Sequence, residues 1–337
     1  MPRSAAPGLL IALAVLIAGL LLALTVGRYP VSIGELYDIV VAKLTGRTSD
    51  VPAAAVNVIW QIRGPRVLAA ALVGASLAIA GTAFQGLFRN PLVSPELLGA
   101  SSGAALGAVI GIYLALGVFA IQAFAFVGGL VAVSAVYLIG SAIRARDPVL
   151  VLVLTGVVIG ALLGAGVGLV KYIADPYNQL PAMTFWLLGS LAAINVSDLV
   201  PLFGPVALGT LVLLALRWRM NVMSLPDEEA RALGVSTGPL RIAIVAAATL
   251  VTSASVAAAG IIGWVGLVVP HIARTLVGPD FARLVPAAAL LGGGFLLLID
   301  TLARNVTAIE VPLGVLTALI GTPFFVWLLA SMSKTWS

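Results

Sequence analysis

The residues of this chain that could do chemistry are few, and they fall in three places. The first is LPDEEARALGVS, Leu225 to Ser236, where Asp227, Glu228, Glu229 and Arg231 stand together in a sequence of 337 residues that is 9% charged and 61% hydrophobic. The second is Asp300 with Arg304, spaced i and i+4 so that on a helix the two side chains can pair. The third is His271, the only histidine, in GLVVPHIAR. One imidazole builds a metal site only if carboxylates or thiolates join it, and there is no cysteine, so His271 is expected to be a structural hydrogen-bonding group. HExxH and paired intramembrane carboxylates are absent, and the single histidine leaves no nucleophile–base constellation, which argues against an intramembrane enzyme. The only lysines are Lys43, Lys171 and Lys334, and none sits in a GxxxxGK[ST] loop, so ATP cannot be held here by a P-loop. An ion-coupled secondary transporter, the rival reading from another class, would need a buried carboxylate or broken-helix ion site, and no compelling one is visible.

The elements that carry these residues are membrane helices. Mean hydropathy is +1.16, far above what a soluble core and its surface can combine. Apolar runs long enough to cross a ~30 Å hydrocarbon layer recur along the chain. Ten spans are expected, near residues 9–26, 67–87, 98–116, 119–142, 149–170, 199–216, 242–259, 260–273, 284–299 and 311–330. The fold class is therefore all-α: one polytopic domain over 1–337 with both termini on one side. The first run follows a basic residue, as a secretory signal does, but it is long and lacks a small-x-small cleavage site, so it reads as a retained span. Ile242 to Ile272 carries no charge, and Gly260, Gly263, Gly266 and Pro270 crowd its second half. A full helix followed by a short or broken one is expected there.

Of the 18 Lys and Arg residues, eleven fall on the side of the termini and seven on the other. The positive-inside rule then makes the termini and the segment 220–238 cytoplasmic. With the bases scattered between apolar runs, nothing suggests nucleic-acid binding. Gly99, Gly103, Gly107 and Gly111, and again Gly156, Gly160, Gly164 and Gly168, keep missing side chains on one helical face, a signature of close helix packing. Gly27 to Arg66 reads as a long external loop, in which Ser32 and Glu35 form a capping box opening a short amphipathic helix. In LPDEEARALG, Pro226 suits the first turn of a helix, the three carboxylates favour its positive end, and Gly234 can close it. Leu225, Ala230 and Leu233 could lie against an apolar surface while the carboxylates face water or a basic partner.

Four stretches in order, RGPRVLAAALVGASLAIAGTAFQGLFRNPLVSPELLGASSGAALG, MNVMSLPDEEARALGVS, GIIGWVGLVVPHIAR and VPLGVLTALIGTPFFVWLL, resemble the permease subunits of bacterial ABC importers for iron-siderophores, haem and vitamin B12. The resemblance implies a subunit of the bacterial inner membrane that pairs with a second copy or a paralogue. It also implies two cytoplasmic ATPase subunits that bind Mg-ATP, a periplasmic substrate-binding protein above, and no cofactor on this chain. The coupling segment that sits in the ATPase falls on Leu225, Pro226, Asp227, Glu228, Glu229, Ala230, Arg231, Leu233 and Gly234. The arginines that hold the binding protein fall on Arg63, Arg66 and Arg304. The cytoplasmic gate falls on Pro148, Val149 and Leu150, where apolar residues replace the small hydroxyl residues of a vitamin B12 member, and Pro226 stands where such coupling loops commonly carry Gly. The cargo implied is an iron chelate, siderophore or haem, with vitamin B12 as the alternative. The order of spans is also compatible with an inverted repeat, two to five against seven to ten.

Overall fold

The computed structural model describes residues 6–48, 51–143 and 148–333, and all the regular structure in them is helical. The chain runs through α1 (Ala6–Thr25), α2 (Ile33–Thr45), α3 (Ala53–Asn57), α4 (Gly64–Leu87), α5 (Ala100–Tyr113), α6 (Val118–Ala142) and α7 (Pro148–Ile173). It continues through α8 (Gln179–Leu187), α9 (Val196–Met223), α10 (Asp227–Ala232), α11 (Thr237–Ala259), α12 (Val265–Val277), α13 (Phe281–Asn305) and α14 (Leu313–Ser333). Among the described residues seven stretches are long and apolar enough to span a membrane, and α5, α12 and α14 supply three shorter apolar helices, which together match the ten expected. Helices α2, α8 and α10 are short connectors between them.

The second span differs from expectation. Helix α3 passes through a π turn, Val58–Arg63, straight into α4, so Ala53–Leu87 is one continuous helical rod of 35 residues. Arg63 and Arg66 therefore sit inside a helix and not at the end of a loop. The capping box at α2 is present, with Ser32 Oγ accepting from Glu35 N–H at 3.2 Å and Glu35 Oε2 accepting from Ser32 N–H at 2.8 Å.

Burial separates a centre from a periphery. In α11, α13 and the α3–α4 rod 61–78% of the most apolar window is buried, against 17–33% in α1, α6, α7 and α9. The centre is built from small residues, because lipid gives helices no hydrophobic reason to associate and close van der Waals contact must supply it. A methyl group on Gly74 would run into the carbonyl of Gly292, and one on Gly81 into that of Gly266, so α4 lies backbone to backbone against α13 and α12. The first glycine stripe does the same work: Gly103 meets Gly128 and Gly107 meets Phe124 across α5 and α6. The second stripe does so only at Gly156, which meets the Leu97 carbonyl. A side chain at Gly164 or Gly168 would find nothing within 4 Å.

The break after α11 is present as expected. Gly260 (φ 70°) ends α11 and Trp264 (φ 71°) opens α12, with the unwound residues between them. Non-helical backbone at membrane depth is tolerated where protein surrounds it or a cavity receives it. Here Ser190 N–H donates to Ala259 O at 2.8 Å, and Leu313 N–H to Gly189 O at 2.9 Å, tying the end of α8 and the start of α14 to the break.

Candidate functional site

The charged island forms a helix of one and a half turns. Pro226 (φ −55°) stands at its N-cap and not inside its first turn, and its carbonyl accepts from Ala230 N–H at 3.0 Å. Gly234 (φ 81°) closes the other end, where Val235 N–H returns to Ala230 O at 3.1 Å, the left-handed closure that glycine permits without strain. The island has two faces. Ala230 and Val235 are buried against the chain's own core, while Leu225, Glu228, Glu229, Arg231 and Leu233 are exposed. Asp227 fastens the helix from within: Arg241 of α11 reaches it at 3.0 Å and Arg89, just past α4, at 3.9 Å, while Arg89 also donates to Leu225 O at 3.2 Å. The sequence reading missed both arginines: Arg89 lies far away in the chain, and Arg241 stands 14 residues on, in the next helix.

At the opposite end of the bundle the three expected docking arginines turn inward. Arg63 donates to the carbonyls of Leu24 at 2.5 Å and Tyr29 at 2.6 Å, closing the end of α1. Arg66 is 7% exposed. Its guanidinium forks onto Glu310 at 2.8 and 3.0 Å and reaches Asp300 at 2.9 Å. Arg304 Nε stands 3.1 Å from Asp300 Oδ2, so the expected i, i+4 pair forms, and its Nη2 caps Ala23 O at 3.2 Å. Exposed Arg28 donates to Ala308 O. Four guanidinium groups thus surround two carboxylates, an excess of positive charge at this rim. Partial burial pushes the Glu310 carboxyl up, but the hydrogen bonds from Arg66 and the charges of Arg66, Arg304 and Arg28 outweigh it and hold Glu310 below the usual glutamate range.

A third region emerges between these ends. Pro95–Leu98 forms a 3₁₀ turn before α5, and Glu96 reaches from it to within 3.2 Å of where a Cβ on Gly263 would sit. Its carboxylate makes no ion pair or hydrogen bond among the described residues. On one side of this turn Leu97 packs on Gly156 of α7. On the other, Trp264 packs on Gly321 of α14 and meets Phe325 edge-on at 6.0 Å. Beside it lies a recess of ≈ 660 Å³ lined by Leu188, Ile261, Trp264, Val315 and Leu319. Helices α7 and α14 therefore flank one face with Glu96 at its middle.

Of the expected gate, Leu150 is exposed near the start of α7, which begins at Pro148; the side chains of Pro148 and Val149 lie outside the described residues. His271 makes no hydrogen bond through Nδ1 and packs edge-on against Phe324 at 6.2 Å.

Residues 15–331 match the FecCD transport family. The chain belongs to that family. The FecCD chain is 39% identical over 304 residues to the molybdate import system permease protein MolB of Haemophilus influenzae, covering 90% of this chain and 89% of that one. It is 43% identical over 280 residues to the cobalamin import system permease protein BtuC of Halobacterium salinarum, covering 83% and 75%. Its fold superposes with a TM-score of 0.86, at 36% identity and with 96% and 98% of the two chains covered, on a solved chain described as an inward-facing conformation of a metal-chelate type ABC transporter. The FecCD chain is thus a multi-pass ABC importer permease.

Proposed function

We propose that this permease works in the bacterial inner membrane as a pair of copies, and that it carries a large metal chelate, an iron-siderophore or haem, inward by alternating access. Helix α10 is the coupling surface for two ATPase subunits: it presents Glu228 and Glu229 outward, with exposed Leu225 and Leu233 flanking it, on a mount fixed to two spans. A rigid mount matters because a push on α10 must reach α4 and α11 and not be lost in a loop. The arginine-rich outer rim around Arg28, Arg63, Arg66 and Arg304 is the seat of an acidic binding protein, since a net-positive surface steers such a partner and fixes its register. The second copy packs across the face of α7 and α14.

The observation that carries the cargo class is Glu96. A bare oxyanion such as molybdate is held by N–H donors and cations, and neither Glu96 nor the apolar recess beside it supplies a cation. A large chelate with an apolar surface suits the recess and can leave it again. The test is uptake by vesicles holding the permease with its ATPase and binding protein. ATP-dependent accumulation of a ferric siderophore or haem, abolished by Glu228→Lys with Glu229→Lys, is expected. Uptake of molybdate alone would overturn the cargo, and uptake that persists in the double variant would overturn coupling at α10.

A further inference from the structure

A second site lies away from the flanked face, where α6, α9 and α11 leave a groove of ≈ 710 Å³ between them, lined by Leu130, Leu138, Leu208, Val212, Ala246 and Leu250. We infer that this groove holds one acyl chain of an anionic glycerophospholipid whose phosphate rests on Arg219. The occupant follows from where the groove opens. Beside it the outward face of α9 carries Val200, Phe203, Leu208 and Leu211, each more than half exposed. Large apolar side chains of this kind meet lipid, whereas helix–helix faces are built from small ones.

The headgroup follows from register and charge. Leu208, Val212 and Arg219 are spaced by four and seven residues and so share one stripe of α9. Arg219 lies about 10 Å along the axis from Val212 at 1.5 Å per residue. The 28 residues of α9 exceed what a ~30 Å hydrocarbon layer needs, so its last turns reach the headgroups, where exposed Trp218 also sits. Arg219 is exposed and makes no ion pair or hydrogen bond among the described residues. Its neighbour Arg217, two residues away, points to another side of α9, toward Asp280, whose carboxyl is held below its ordinary range first by the hydrogen bond from Asn221 and least by the charge of Arg217. This end of α9 adjoins α10, so the lipid belongs to the leaflet that the distribution of basic residues makes cytoplasmic.

The test is native mass spectrometry of the full-length chain equilibrated with equal amounts of phosphatidylglycerol and phosphatidylcholine. Retention of phosphatidylglycerol several-fold above phosphatidylcholine is expected. Arg219→Gln should bring that ratio close to one while a chain is still retained, and Arg217→Gln should leave it unchanged. Ala246→Trp, at an exposed position that fills the groove without pressing on the core, should lower retention of both lipids. Equal retention by the unaltered chain, equal losses in the two arginine variants, or no effect of Ala246→Trp would each overturn the site. Inorganic phosphate at matched ionic strength should not displace the lipid; displacement would mean that Arg219 binds a free anion and the groove is irrelevant.

Discussion

Arg66 shows why a charged residue can sit inside a membrane helix. Asp300 is fully buried, and a carboxylate there is tolerable only because Arg66 and Arg304 both reach it. Removing one partner of such a cluster strands a buried charge, a loss of about 3–5 kcal/mol. Arg66→Ala should therefore lower the unfolding temperature sharply, and Arg66→Lys should recover only part of it, because one ammonium cannot fork onto Glu310 and also reach Asp300. Glu310→Gln should be milder and pH-dependent. The folded pKa of Glu310 is depressed, so its charged contribution is fully present above the ordinary glutamate range and is lost as pH falls through the lower folded value. The stability gap between the native chain and Glu310→Gln should hold steady at neutral pH and close below about pH 4. A gap that survives further acidification, measured by thermal unfolding in detergent, would show that Glu310 acts by shape alone.

Helix α10 owes its orientation to Asp227, which ties it to α11 through Arg241 and to the end of α4 through Arg89. Asp227→Asn leaves the exposed face of α10 unchanged in composition but loosens its mount. Stimulation of the ATPase by the permease should fall several-fold while co-purification of the two persists; unaltered stimulation would mean that the mount transmits nothing. The capping box at Ser32 and Glu35, the closure at Gly234 and the break after α11 were all legible in the sequence, because each depends on residues within one or two turns of one another. The start of the second span was not. Arg63 and Arg66 read as loop residues because nothing local offers them partners. Their partners lie at the end of α1 and just past it, 34 to 39 residues away, and around α13, 234 and 244 residues away. The inward turn of the three rim arginines was hidden for the same reason, and so was the hold of Arg89 on α10. Glu96 was passed over because its meaning comes from Gly263, a residue of another span.

At the scale of the whole molecule, the question is what covers α7. Only 17% of its most apolar window is buried, the least of the long helices, yet it carries a glycine stripe of the kind that elsewhere in this chain brings backbones into contact. At Gly103 and Gly107 that contact is made within the chain. At Gly164 and Gly168 it is not, and a side chain there would meet open space. A stripe that exposes backbone to lipid along a long helix forgoes packing that any larger residue would recover, which makes sense if a second copy completes it. Gly164→Leu and Gly168→Leu should accordingly leave the fold and unfolding temperature of the single chain unchanged while preventing close approach of the partner. Light scattering on purified material should then show a shift from dimer toward monomer, with transport lost. Gly103→Leu provides the contrast, since its side chain would collide with Gly128 inside the chain and should impair folding itself. If the Gly164 and Gly168 variants remain dimeric and transport normally, the second copy does not pack on this stripe, and the exposed glycines of α7 face lipid.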